Sequence, residues 1–368
     1  MKLRTHLLVA LLIIGMMVVP ALPRARAASG TYFDGIVVVA MENQHYADVM
    51  GTGTGNACCP FIASLLSTGS TIPNYHGYGA DGRSITGCSA ACYVALNSGS
   101  TQGVSDSYCN TLSGCPSSPT WNTLTLLDRM VAAGLTWKAY CESGCPRYAD
   151  HFPFVAVSTL FNSGNIFDSS TVSTTDFIAA SNVTTPPNFL WFTPTDNHNM
   201  HNNSPATGDA YLKTFLVGSG TVSAPASGSL FANNIFKPGH RTLFMLWWDE
   251  YNPAPVLFYE PGVVKQAYVS SSDVYDEYSI LHLMENNWSL STLTDNDAAA
   301  APMTEIFGTS TTPASGGSGG GCFLCGSTST WLFAIGGLLG LIGSLVLLTI
   351  RTRAKLARTG RRMNRPDR

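Results

Sequence analysis

Residues 35–43 read Gly35-Ile36-Val37-Val38-Val39-Ala40-Met41-Glu42-Asn43. The run Gly35–Met41 is continuously apolar and rich in β-branched side chains, which predicts a strand covered on both faces. Similar runs recur at 135–140, 188–193, Thr242–Trp248 and 255–259. Helical patterns fall between them. Pro60–Leu66 starts on Pro and stops near Gly69, 123–133 precedes Gly134, and 208–217 and 274–287 are amphipathic. Strands alternating with helices predict an α/β domain of three layers, α/β/α, around a largely parallel sheet. Asn- and Ser-rich stretches at 97–120 and 157–187 read as surface insertions.

In such sheets ligands bind beyond the carboxyl ends of the strands. The first strand ends in Glu42-Asn43 and the Thr242–Trp248 strand in Asp249-Glu250. The 188–193 run continues into Thr195-Asp196-Asn197-His198-Asn199-Met200-His201. Oxygen-rich clusters of this kind suit a hard or borderline divalent cation, although any one of these acids alone is as well explained as a helix cap or a solvated loop charge.

Working outward, the ends of the chain set an expected compartment. A basic start, an apolar run over 7–19 and Ala25-Arg26-Ala27 read as a signal peptide over 1–27. Residues 331–350 carry no charge over 20 positions, and Arg351, Arg353, Lys355, Arg358, Arg361 and Arg362 follow at once. That pattern predicts a membrane-spanning helix with a basic cytoplasmic tail, 351–368. The domain at 28–307 then lies outside the cytoplasm, tethered by the Gly/Ser/Thr-rich linker 308–330. Between the two basic ends, 8 basic residues face 22 acidic ones, a net charge of −14. Such a segment repels phosphate backbones and excludes general nucleic-acid binding. Charged residues make up only 12%, which suits an acidic surrounding. Eight cysteines lie in the exported part, and disulfides are expected there, first between Cys109 and Cys115 and between Cys141 and Cys145. Asn182, Asn202 and Asn287 begin glycosylation sequons.

With these residues in hand, Ile36-Val37-Val38-Val39-Ala40-Met41-Glu42-Asn43-Gln44-His45-Tyr46-Ala47-Asp48-Val49-Met50-Gly51 resembles the opening signature of a known family. That family comprises acid phosphatases and phospholipase C-like phosphoesterases, relatives of alkaline phosphatase. Further matches follow in order at 72–76, 98–106, 206–212, 248–250, 278–281 and 301–307, so the resemblance covers roughly 34–308. It is nearest to the branch of acid phosphatases acting on phosphoinositide head groups. Ser89-Ala90-Ala91-Cys92-Tyr93-Val94-Ala95-Leu96-Asn97-Ser98-Gly99 fits the family's S-x-P-N-Y-x-A-L-x-S-G stretch, which implies Ser89 as nucleophile. The resemblance further implies Glu42, Asn43, Asp249 and Glu250 as ligands of a divalent metal ion, and His198 and His201 as residues near the phosphate. The implied substrate is a phosphoester, attacked by Ser89 to give a phosphoserine that water then cleaves.

The chain departs from the family where three histidines are usual: Gly87 stands two residues before Ser89, Asn252-Pro253-Ala254-Pro255 follows the Asp-Glu pair, and Glu277 precedes Tyr278-Ser279-Ile280-Leu281. Glu277 reads as a helix-surface acid rather than an extra metal ligand, and His76 and Arg83 as surface-loop residues rather than replacements for the histidines. Two other readings stay open, a phospholipase C-like phosphodiesterase and a catalytically degenerate surface protein that binds a ligand.

Overall fold

The computed structural model describes residues 29–77, 88–104, 120–271 and 274–308. The expected signal peptide, the linker beyond Gly308, the membrane helix and the basic tail lie outside them, as do Arg83, Gly87, Cys109 and Cys115. No helix among the described residues is long and apolar enough to cross a membrane.

Eight strands form one sheet: β1 (Gly35–Met41), β2 (Ser70–Thr71), β3 (Trp137–Cys141), β4 (Ile166–Phe167), β5 (Phe189–Thr193), β6 (Thr242–Trp248), β7 (Val256–Tyr259) and β8 (Tyr268–Val269), in the order β4-β3-β5-β1-β6-β7-β2-β8. The five strands from β4 to β6 are parallel. β7 runs antiparallel to both β6 and β2. Every residue of β1 is buried, and alternate ones enter two separate cores: Ile36, Val38 and Ala40 pack on one side, Val37, Val39 and Met41 on the other. That split is the physical basis of the continuous apolar run and of helices on both faces.

The helices used below are α1 (Tyr46–Met50), α2 (Pro60–Leu66), α3 (Ser89–Ser98), α4 (Leu126–Ala132), α5 (Ser158–Phe161), α6 (Thr174–Ser181), α7 (Pro205–Val217), α8 (Glu277–Asn287) and α9 (Asp295–Ala299). β1, β6 and α2 fall on the residues the sequence marks. Helix α7 begins three residues before the expected start, because Ser204 caps it through Thr207 N–H and Pro205 occupies its first turn. Helix α8 begins later, at the capping box of Asp276 with Ser279. The 157–187 stretch is not a mere insertion: it supplies edge strand β4 and α6, whose Ser173–Asp176 capping box and fully buried Phe177 anchor it. Cys141 and Cys145 are bonded, and so are Cys88 and Cys92, a pair the spacing did not single out. The Asn287 amide is buried, accepting from Tyr32 and Phe33 N–H and donating to the Phe33 carbonyl, so this sequon has no side chain to offer a glycan.

Two buried acids are only weakly offset by a nearby cation, Glu285 by Arg129 and Glu260 by Arg241. Burial, with the charge of Asp297 beside it, pushes the Glu285 carboxyl up to about 9, and burial raises Glu260 to about 8. Both therefore hold protons in the folded chain that the unfolded chain, near 4.3, releases. Their stabilising contribution is complete below the unfolded value and is lost as pH rises through 8–9. The melting temperature is expected to be highest at mildly acidic pH and to fall steadily from about pH 5 to 9. Glu285→Gln, which keeps a neutral side chain there, should flatten the alkaline limb. Calorimetric scans across that range decide it, and a wild-type maximum above neutrality would contradict the assignment.

Candidate active site

The register of the sheet assembles the site. β1 lies between β5 and β6, with Met41 opposite Trp248 and Val39 opposite Phe192. The residues that follow, Glu42 and Asp249, consequently leave adjacent strands side by side. The Glu42 N–H donates to the Asn199 carbonyl at 2.8 Å, which draws the loop after β5 against them. Each of the three strand-end loops contains a non-glycine residue with positive φ: Asn43 (44°), Met200 (78°) and Tyr251 (83°). Backbone strain of this kind is kept where the surrounding structure demands it and gathers at functional sites. Two glycines permit the close packing: a Cβ on Gly77 would stand 2.1 Å from the Asp249 carbonyl oxygen, and one on Gly208 2.3 Å from Met200 Cγ.

Ser89 opens α3, fastened from the far side of the chain. The bonded Cys88–Cys92 pair sits in its first turn, and the Cys88 sulfur lies 3.4 Å from the Asp249 carbonyl oxygen. The Ser89 hydroxyl donates to Glu250 Oε1 at 2.7 Å, and its N–H donates to the same oxygen at 3.1 Å. A carboxylate at a helix N-terminus is favoured by the exposed N–H groups there. Four residues along the same helix, Tyr93 faces the same way and donates to Glu42 Oε1. The sequence residues Glu42, Asn43, Ser89, Asp249 and Glu250 thus meet at one rim of the sheet.

Their oxygens are held unevenly. Tyr93 and the imidazole of His151, whose Nδ1 is 3.3 Å away, occupy Glu42 Oε1, while Glu42 Oε2 is buried without a hydrogen-bond partner. Asn43 Oδ1 and both Asp249 oxygens are likewise unpartnered. Burial, and then the neighbouring carboxylate of the pair Asp249 and Glu250, raise Glu42 and Asp249 well above the usual carboxylate range. Hard oxygen donors in excess, crowded and unsatisfied, are the set a hard divalent cation takes. Among the described residues, no three His, Cys, Asp or Glu side chains are already gathered at metal-binding distance. Asn43 and Ser89 are the further oxygen donors at this rim.

The two histidines from the 194–201 loop part company. His201 stays at the rim: its ring is 5.7 Å from that of His151, Nδ1 is 2.8 Å from Asn202 Oδ1 and Nε2 is 3.2 Å from an Arg147 amine. His198 faces elsewhere. Its Nδ1 is 2.7 Å from Glu142 Oε2 and its ring stacks on Tyr211 at 4.1 Å, with no described contact to Ser89, Glu42 or Asp249. Glu142 is fixed by Thr195 N–H and Thr174 Oγ1 and sits in the Cys141–Cys145 loop, where Ser143, Gly144 and Cys145 all have positive φ.

Sequence reasoning misses Arg147, Asp150 and His151, which the segment after β3 delivers to the rim. Asp150 takes two guanidinium bonds from Arg147, 2.6 and 3.1 Å, and lies against the Ala90 N–H next to Ser89. His151 is buried and neutral, because burial and then the Arg147 charge lower it well below its usual value. The strand-end rule applied to β3 leads to this segment, but the disulfide loop intervenes between strand and side chains. Glu277 is also relocated: it is fully buried rather than on a helix surface, accepts the Tyr75 hydroxyl at 3.0 Å and leaves Oε2 unpartnered.

No family model matches the chain. It is 26% identical over 305 residues to a protein of Mycobacterium tuberculosis (strain ATCC 25618 / H37Rv) named phosphatidylinositol-3-phosphatase, covering 79% of this chain and 88% of that one. Among solved structures it is similar to a protein in the alkaline phosphatase superfamily from Vibrio parahaemolyticus, at 14% identity, TM-score 0.46 and coverage of 76% and 72%. A 2-O GAG sulfatase gives 13%, TM-score 0.44 and 73% and 72%. The phosphonate monoester hydrolase of Agrobacterium radiobacter gives 9%, TM-score 0.40 and 70% and 74%.

Proposed function

We propose that this chain is an extracytoplasmic, metal-dependent phosphatase that hydrolyses phosphate monoesters through Ser89 and is held at the membrane by 331–350. The observation that carries the reading is the Ser89–Glu250 pair beside buried oxygens of Glu42, Asn43 and Asp249 that accept no hydrogen bond among the described residues. The name of the 26% identical relative supports a phosphoester substrate.

Glu42, Asn43, Asp249 and Glu250 are the residues that would hold a divalent cation. Such an ion supplies neutralisation of phosphoryl oxygens and a lower pKa for a neighbouring hydroxyl. The chain's own part is positional and protonic. Glu250 Oε1 accepts the Ser89 proton as Oγ forms its bond to phosphorus and the ester P–O bond breaks. The departing alcohol takes a proton from water. Water then attacks the phosphoserine, and Glu250 returns its proton to Ser89 Oγ, releasing phosphate. Tyr93 and His151 hold Glu42 so that Oε2 stays free, as supporting partners of metal-binding carboxylates do.

Release of p-nitrophenol from p-nitrophenyl phosphate at pH 4–8, with and without chelator, tests the reading. Activity that disappears on chelation and returns with a divalent ion is expected; turnover indifferent to chelator refutes it. The three absent histidines favour a second reading, a ligand-binding protein on the same fold. Its sign is metal binding with no turnover of monoester or diester.

A further inference from the structure

A phosphate group approaching Ser89 meets an acidic wall. Glu42, Asp249 and Glu250 come from the strand ends, and Asp150 and Asp196 close the side. Repulsion between like charges a few ångströms apart is worth about 1 kcal/mol in water and several times more where water is excluded. One divalent cation held by Glu42, Asp249 and Glu250 has no positive charge left over for a phosphate dianion. The histidines present do not make up the difference. His151 is fully buried with Nδ1 turned to Glu42 and Asp196, and His201 points Nε2 at an Arg147 amine, which makes that nitrogen an acceptor.

Arg147 is the cation that the described residues set against this wall. Its Nε and Nη2 both donate to Asp150 Oδ2, Nη1 donates to His201 Nε2 at 3.2 Å, and Asp196 Oδ2 is 3.6 Å from Nη1. Supports on three sides fix the plane of the guanidinium, and its main support is 1% exposed. The arginine side chain itself keeps 22% of its surface open. Asp150 also lies against the Ala90 N–H, so the guanidinium is tied to the turn of helix that presents the Ser89 hydroxyl. A guanidinium locked this way loses little freedom when it binds an anion, and its remaining N–H groups offer a forked pattern that matches two oxygens of one phosphoryl group.

We infer that Arg147 is the side chain that recognises the phosphoryl group at Ser89, and that it selects phosphate monoesters over diesters. The inference rests on the phosphoester reading above. A monoester presents three terminal oxygens and two charges, whereas a diester presents two oxygens and one charge. A fixed guanidinium therefore gains more from the former, and the acidic wall rejects any anion that does not engage it.

Two kinds of measurement on the full chain test this. The first is turnover of p-nitrophenyl phosphate against bis-p-nitrophenyl phosphate for wild type, Arg147→Lys and the double variant Arg147→Gln/Asp150→Asn. The double variant avoids leaving Asp150 buried beside an empty place, and Arg147→Lys keeps the charge while removing the fork. Monoester kcat/KM should fall about 10–100-fold in the lysine variant and further in the double variant, with diester turnover changed less than about fivefold. The second is calorimetric titration of inorganic phosphate, with a divalent ion present, into Ser89→Ala with and without the Arg147 substitutions. Its Kd should rise at least about tenfold when Arg147 is changed. A bracket that merely positions His201 would lower both substrates equally and leave phosphate affinity unchanged, and that result overturns the assignment. If the wild type turns over neither ester, the phosphatase reading fails, while phosphate affinity still decides the role of Arg147.

Discussion

Ser89→Ala is expected to reduce phosphomonoester kcat by about six orders of magnitude while leaving the fold intact, the scale seen when a covalent nucleophile is removed. The substitution deletes one oxygen from the first turn of α3. Glu250 Oε1 keeps the Ser89 N–H at 3.1 Å, so its carboxylate stays partnered. The side chain fills little volume, and alanine is the better helix former, so stability should change by no more than about 1 kcal/mol. Ser98→Ala is the matched control. Ser98 ends the same helix and its hydroxyl donates to the Val94 carbonyl at 2.9 Å, one turn back along α3. Rapid acid quench of wild type with substrate should trap phosphate on Ser89, seen as a phosphopeptide by mass spectrometry. Substantial turnover in Ser89→Ala would remove the serine from the reaction.

How much of this was legible depends on where the information lies. β1 and β6 are buried on both faces, so their identity is carried by an unbroken apolar run and their ends by the first carboxylate, both local signals. α2 announces itself through Pro60. β2, β4 and β8 have two residues each and exist only because a neighbouring strand offers hydrogen bonds, so no local pattern marks them. The strand-end pairs were readable for the same reason as β1: a polar pair directly after a buried strand has one rim to occupy. Arg147 and Asp150 reach that rim through the Cys141–Cys145 loop, and nothing in their spacing reveals that the loop folds back over Ser89. His198 and His201 sit three residues apart, but the left-handed Met200 between them turns their side chains toward different partners. Glu277 misled because a capped helix start usually faces water; here the sheet and Tyr75 cover it.

Asp249→Asn should separate the cost of the crowded carboxylates from their use. Asp249 is fully buried, lies beside Glu42, Glu250, Ser89 and the Asn43 N–H, and makes no hydrogen bond of ordinary geometry among the described residues. Burial raises its pKa well above the usual carboxylate range, so in chelator the wild-type fold loses stability as pH rises and the proton leaves. Asparagine has no proton to lose. In chelator the variant should melt at or above the wild-type temperature at pH 7–8, and the part of the pH slope due to this site should vanish. With a divalent ion the order reverses. An ion present at 100 times its Kd adds about 2.7 kcal/mol to wild type, roughly 5–10 °C for a domain of this size. That gain should grow with pH, since bound carboxylates must be ionised. The variant should show little of it and should lose activity by about three orders of magnitude. Opposite pH slopes with chelator and with metal, both erased by one substitution, are the signature of an ion held against Asp249. A variant that melts lower than wild type in chelator and still gains the full increment from metal would place the ion elsewhere.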